Sequence, residues 1–110
     1  MKKIMLSCIL ALISIQSYAY DGWSGDYVIQ SVRVFPNSSV YIKMPGAANP
    51  GNCSDLTYLV LANADTESGK RLYTAIMSAF VSGKTVTLAF TGCAGGGTTG
   101  NRLIEQVWVK

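Results

Sequence analysis

The sequence predicts a mainly β domain carrying a single helix, and three observations lead there. Leu72, Ile76, Ala79 and Phe80 recur at i, i+4, i+7 and i+8, which places them on one stripe of a helix spanning roughly residues 68–82. Gly83 follows at the point where a left-handed residue commonly ends a helix, a conformation glycine adopts without a Cβ clash. Val86, Leu88 and Phe90 then alternate with Thr85, Thr87 and Ala89, the two-residue period of a strand with one buried face. Every other apolar segment outside the N-terminus is short and has strand character.

In chain order, residues 1–19 read as a signal peptide. Lys2 and Lys3 form a basic start, Ile4 to Ile15 an apolar core, and Ser17 and Ala19 are small residues before a cut at Tyr20. The apolar core has about 12 residues, short of the roughly 20 needed to span a membrane as a helix. The expected product is therefore exported, to a bacterial periplasm or beyond, as a single domain of residues 20–110. Tyr20 to Asp26 is turn-rich and carries Trp23 among poor core formers, Gly22, Ser24, Gly25 and Asp26. Residues 27–35 read as a first strand, with Val28, Val32 and Val34 on one face and Ile29 and Phe35 on the other. Pro36 to Ser39 is turn chemistry, and residues 40–44 alternate cleanly, so a hairpin follows.

A loop rich in Pro, Gly and Asn occupies residues 45–55, and residues 57–62 form a third, apolar strand. Asp65 or Thr66 is placed to cap the helix, with Glu67 suited to the positive end of its dipole. Gly69 weakens the first turn and leaves its start uncertain by a few residues. The strand at 85–90 is followed by a glycine-rich loop over 91–101. The last strand, 103–110, sets Leu103, Glu105, Val107 and Val109 on one face and Ile104, Gln106 and Trp108 on the other. The order β-β-β-α-β-β, with its helix between the third and fourth strands, matches a five-stranded Greek-key barrel of the OB type.

Composition narrows the function. Export removes Lys2 and Lys3, so nine basic residues become seven against six acidic ones, and the net charge falls from +3 to +1. That balance argues against nucleic acid and against strong binding to anionic membranes. Of the three cysteines, Cys8 leaves with the signal, and Cys53 and Cys93 are expected to form a disulfide in an oxidising compartment. The chain has no histidine, which removes the commonest general base and a usual metal ligand, and no Ser-His-Asp or Cys-His arrangement can be built. Gly95-Gly96-Gly97 lacks the Gly-Lys-Ser/Thr that would make it a phosphate cradle and reads as a surface loop. The expectation is a non-catalytic binding or assembly protein with no cofactor and no metal.

Two segments carry a resemblance. Asp21-Gly22-Trp23-Ser24-Gly25, and the run from Tyr73 through Ser82-Gly83-Lys84-Thr85-Val86, resemble the B subunits of bacterial A-plus-B-pentamer toxins of the subtilase-cytotoxin and pertussis-like types. The resemblance implies an OB fold, a homopentameric ring with helices lining its pore, binding of sialylated cell-surface glycans, and a catalytic A subunit as partner. It assigns ligand contacts to Asp21 and Ser24; Trp23, set apart by its poor core-forming neighbours, is expected to stack on the sugar. Tyr73 and Met77 lie on a flank of the helix stripe and are expected to face a neighbouring subunit. An alternative expectation is a monomeric periplasmic protein that binds or inhibits another protein through its sheet edge or the Gly95–Asn101 loop.

Overall fold

A computed structural model describes residues 21–110, so the signal segment 1–19 and Tyr20 lie outside the described residues. The described chain is mainly β with one helix. Its strands are β1 (Gly22–Trp23), β2 (Tyr27–Val28), β3 (Ser31–Val34), β4 (Val40–Lys43) and β5 (Leu59–Leu61), then β6 (Thr85–Cys93) and β7 (Arg102–Val109) after the helix α1 (Glu67–Ser82). They form one seven-stranded sheet in the order β1-β6-β7-β5-β4-β3, with β2 also paired to β6. All pairings are antiparallel except β5 with β7. The sheet is not closed by hydrogen bonds between its two ends.

The single strand expected over 27–35 is instead two strands on different neighbours. Tyr27 and Val28 pair with Val86 and Thr85, while Val32 and Val34 pair with Ile42 and Val40. The intervening Ile29 is buried and Gln30 donates its amide to the Lys43 carbonyl, so the chain crosses from one end of the sheet to the other within two residues. β1 was not visible in the sequence, because two residues among glycines carry no periodicity.

Apolar periodicity and burial agree along most of the helix. Ile76 and Ala79 are fully buried, and Leu72 and Tyr73 pack against the core from either side. Phe80 departs from expectation: its angle lies on the stripe, but it sits in the last turn, where the sheet no longer covers it, and it is 36% exposed. Thr66 caps the start, its hydroxyl oxygen accepting from the Gly69 amide at 3.0 Å. Gly83 ends the helix in the left-handed region at φ 69°. Gly69 is no weak link. It is buried, and a Cβ there would collide with the backbone carbonyl oxygen of Asn63, so the glycine lets the 63–64 segment lie directly on the helix.

The last strand departs from simple alternation. Ala89 pairs with Gln106 but Phe90 pairs with Ile104, so Glu105 is an extra, unmatched residue of a bulge. The bulge reverses the facing of the strand's first half. Ile104 joins Val107 against the core of Ile42, Leu59, Leu61, Val86, Leu88 and Phe90, which strict alternation had set on opposite faces. Among the described residues no helix is long and apolar enough to cross a membrane.

Helix propensity alone predicts that Gly69→Ala stabilises by up to about 1 kcal/mol. The backbone contact predicts the opposite, a loss of about 2 kcal/mol or more from overpacking, read as the urea midpoint of unfolding. A stabilised Gly69→Ala variant would refute the close approach.

Candidate functional site

Sequence analysis placed ligand contacts on the turn at residues 21–25, and the structure shows how that turn is held. The Ser24 amide donates to the Leu88 carbonyl at 2.7 Å, and the Ser24 hydroxyl oxygen accepts from the Leu88 amide at 2.8 Å. The same hydroxyl donates to the Gly25 carbonyl at 2.7 Å, and the residue is 1% exposed. Ser24 thus substitutes for a strand partner just where β1 ends. Asp21 is exposed, and one carboxylate oxygen accepts from the Gly92 amide at 2.8 Å. Both side chains tie the turn to β6.

On the opposite side, the turn rests on the loop between β4 and β5. The Ala48 amide donates to the Ser24 carbonyl at 3.0 Å. The Tyr27 ring lies between two glycine backbones: a Cβ on Gly25 or Gly46 would stand 2.9 or 2.7 Å from its edge atoms. Both glycines have positive φ, 91° and 96°, so neither position accepts an ordinary side chain.

That loop is fastened by two groups. Cys53 and Cys93 form the expected disulfide, joining it to the end of β6. The second is Arg102, which opens β7, is 5% exposed, and extends its guanidinium beneath the loop. Its Nη1 donates to the carbonyls of Ala47 and Ala48 at 2.9 and 3.0 Å, and Nη2 to that of Leu56 at 3.1 Å. Burial lowers the Arg102 pKa, and the charge of nearby Asp55 opposes that shift. The Asp55 carboxyl is itself held below its ordinary value by hydrogen bonds from Thr57.

The turn delivers Trp23 to the outer face of β6 and β7. Trp23 pairs in register with Ala89, and Trp108 with Thr87, so the two indoles stand on the same side of the sheet. Their centroids are 6.2 Å apart in an edge-to-face arrangement at 67°. Although they point outward, Ala89 is fully buried and Thr87 nearly so, as expected beneath aromatic cover. The Lys110 ammonium sits 4.4 Å from the Trp108 ring centroid and forms an ion pair with Asp26 at 3.1 Å. Trp23 is 38% and Trp108 57% exposed, which leaves a shallow aromatic shelf edged by one cation and one anion.

Sequence reasoning singled out Trp23 but read Trp108 only as a strand position, since the pairing that joins them is set by register. The two helix positions expected at an interface differ in setting. Tyr73 packs on its own core and lines a groove with Val34, Phe35 and Val40, whereas Met77 is half-buried and outside that core cluster. At the end of the helix, Phe80 and Val81 are exposed. No family model, curated protein or solved structure matches the chain.

Ser24→Ala removes the partner of the buried Leu88 amide, so it is expected to destabilise by about 1–3 kcal/mol. Asp21→Asn, which keeps an acceptor for the exposed Gly92 amide, is expected to change stability by less than about 0.5 kcal/mol. Chemical denaturation of the two variants checks the contrast, and equal effects would show that the Ser24 hydroxyl does not brace the turn.

Proposed function

We propose that this chain is an exported, non-catalytic module that binds carbohydrate on the Trp23–Trp108 shelf. The observation that carries the reading is the pairing of two exposed indoles on one face. An indole face takes the apolar C–H side of a sugar ring, while the polar rim of the sugar stays hydrated or meets nearby charged groups. Asp26 and Lys110 supply those groups at the edge, and the exposed Asp21 lies on the same turn. In this reading Trp23 stacks on the sugar, and Ser24 holds the turn that presents it.

The same reading treats the sheet as a five-stranded Greek-key barrel of OB type. Support comes from the run 22–34, which supplies β1 and β2 at one end of the sheet and β3 at the other as one bent strand. A helix between β5 and β6 follows the order read from the sequence, and the parallel pairing of β5 with β7 adds to it. Assembly into a ring, pentameric by resemblance, rests on the outward apolar residues Met77, Phe80 and Val81 of the helix, with Tyr73 at its flank. Sialylated glycans are the ligand class, and a catalytic A subunit the partner, that this resemblance implies.

A glycan array with the folded, oxidised domain tests the binding. Trp23→Ala and Trp108→Ala are each expected to weaken binding about tenfold, equivalent to about 1.4 kcal/mol, in variants that circular dichroism shows to be folded at the assay temperature. Absence of binding to every sialylated and neutral glycan would defeat the reading and favour capture of a protein partner through the sheet edge or the glycine-rich loop. Sedimentation at tens of micromolar is expected to give a species several times the monomer mass. A monomer alone at that concentration would exclude the ring.

A further inference from the structure

A second feature lies at the other end of β7 from the aromatic shelf. A pocket of about 400 Å³ opens between the end of β4 and the start of β7, lined among others by Gln30, Lys43, Gly46, Ala47, Leu56 and Arg102. Two of its lining residues are cations and none is a carboxylate. Among the described residues, neither Lys43 nor Arg102 forms an ion pair. Lys43 is exposed, its ammonium 5.4 Å from the Tyr58 ring centroid, whereas Arg102 is only 5% exposed.

A guanidinium carries five N–H donors in a rigid fork. Three hydrogen bonds of Arg102 go to the carbonyls of Ala47, Ala48 and Leu56, and its buried Nε has no acceptor. Buried charges in folded proteins are ordinarily paired, because carbonyl dipoles offset only part of the lost hydration. Asp55 acts on Arg102 only at a distance and is already engaged by Thr57.

We propose that this pocket is an anion site that takes a carboxylate-bearing ligand, with Lys43 at its mouth and the Arg102 guanidinium at its floor. Carboxylate suits the pair, since one of its oxygens can accept from a guanidinium N–H that the loop carbonyls leave unused while the other accepts from the Lys43 ammonium. Gln30 adds an amide that donates to a hydroxyl or carboxylate oxygen. The site does not depend on the carbohydrate reading: Arg102 and Trp108 are six residues apart along β7, about 20 Å at strand rise.

The test is a titration of the isotope-labelled, oxidised domain followed by amide chemical shifts, with sodium glucuronate as probe and glucose as its neutral counterpart. Acetate in a third arm distinguishes a free small carboxylate from one carried on a sugar. Glucuronate is expected to give saturable shifts centred on the Gly46, Ala47 and Leu56 amides, with glucose giving none there. Lys43→Gln, an exposed change that leaves the Arg102 contacts intact, is expected to raise the dissociation constant at least threefold, while Lys84→Gln leaves it unchanged. Absence of saturation by glucuronate and acetate alike would overturn the site. So would an equal response to glucose, or an unchanged constant in Lys43→Gln.

Discussion

The Arg102 guanidinium is the group on which the end of this domain that carries the N-terminal turn depends. Residues 44–58 form a long connection with little regular structure, and its backbone carbonyls need donors that no neighbouring strand provides. Arg102 donates to three of them, on both arms of the connection. Hydrogen bonds from a charged donor contribute about 1.5–3 kcal/mol each, set against the cost of burying the charge, while the disulfide's 40-residue separation corresponds to about 4 kcal/mol in the chain-entropy account. The two act differently. The disulfide restricts the unfolded chain and joins Cys53 to Cys93, whereas Arg102 fixes where Ala47 and Ala48 lie in the folded one.

Position matters because the N-terminal turn rests on those residues. Ala48 donates to Ser24, Gly46 accommodates the Tyr27 ring, and Ser24 and Asp21 fasten the turn to β6 from the other side. The turn is a short piece of chain with almost no apolar core of its own. Held on both sides, it sets Trp23 against Trp108. A buried cation thus fixes the placement of an aromatic pair it does not touch, through a loop. The same cation underlies the pocket with Lys43, so the two candidate sites share a support.

The helix, its Gly83 stop, an N-cap at Asp65 or Thr66, and the strands at 40–43, 59–61 and 85–90 were legible because each has a clear period or an end signal, whereas the run of β6 on to Cys93 was read as loop. The disulfide was legible from the cysteine count. Other features were not, for physical reasons that differ. Gly69 reads as a weak helix residue until the Asn63 carbonyl is seen against it. Glu105 interrupts the alternation of β7, and a bulge leaves no mark in a single sequence. Arg102 opens a strand as many solvated arginines do, and only the loop folding over it makes it buried. Ser24 was legible as a turn residue, but not that its hydroxyl faces Leu88. The pairing of Trp23 with Trp108 depends on register across three strands, which local pattern does not encode.

Amide hydrogen exchange on an Arg102→Met variant, compared with the parent domain under conditions where both remain folded, tests the central claim most directly. The account predicts lost protection at the Ala48 and Ser24 amides, two bonds that tie the turn to the loop and to β6, with the Ile76 and Ala79 amides of the buried helix face kept. Unchanged protection at Ala48 and Ser24, or a uniform loss across turn and core alike, would contradict it.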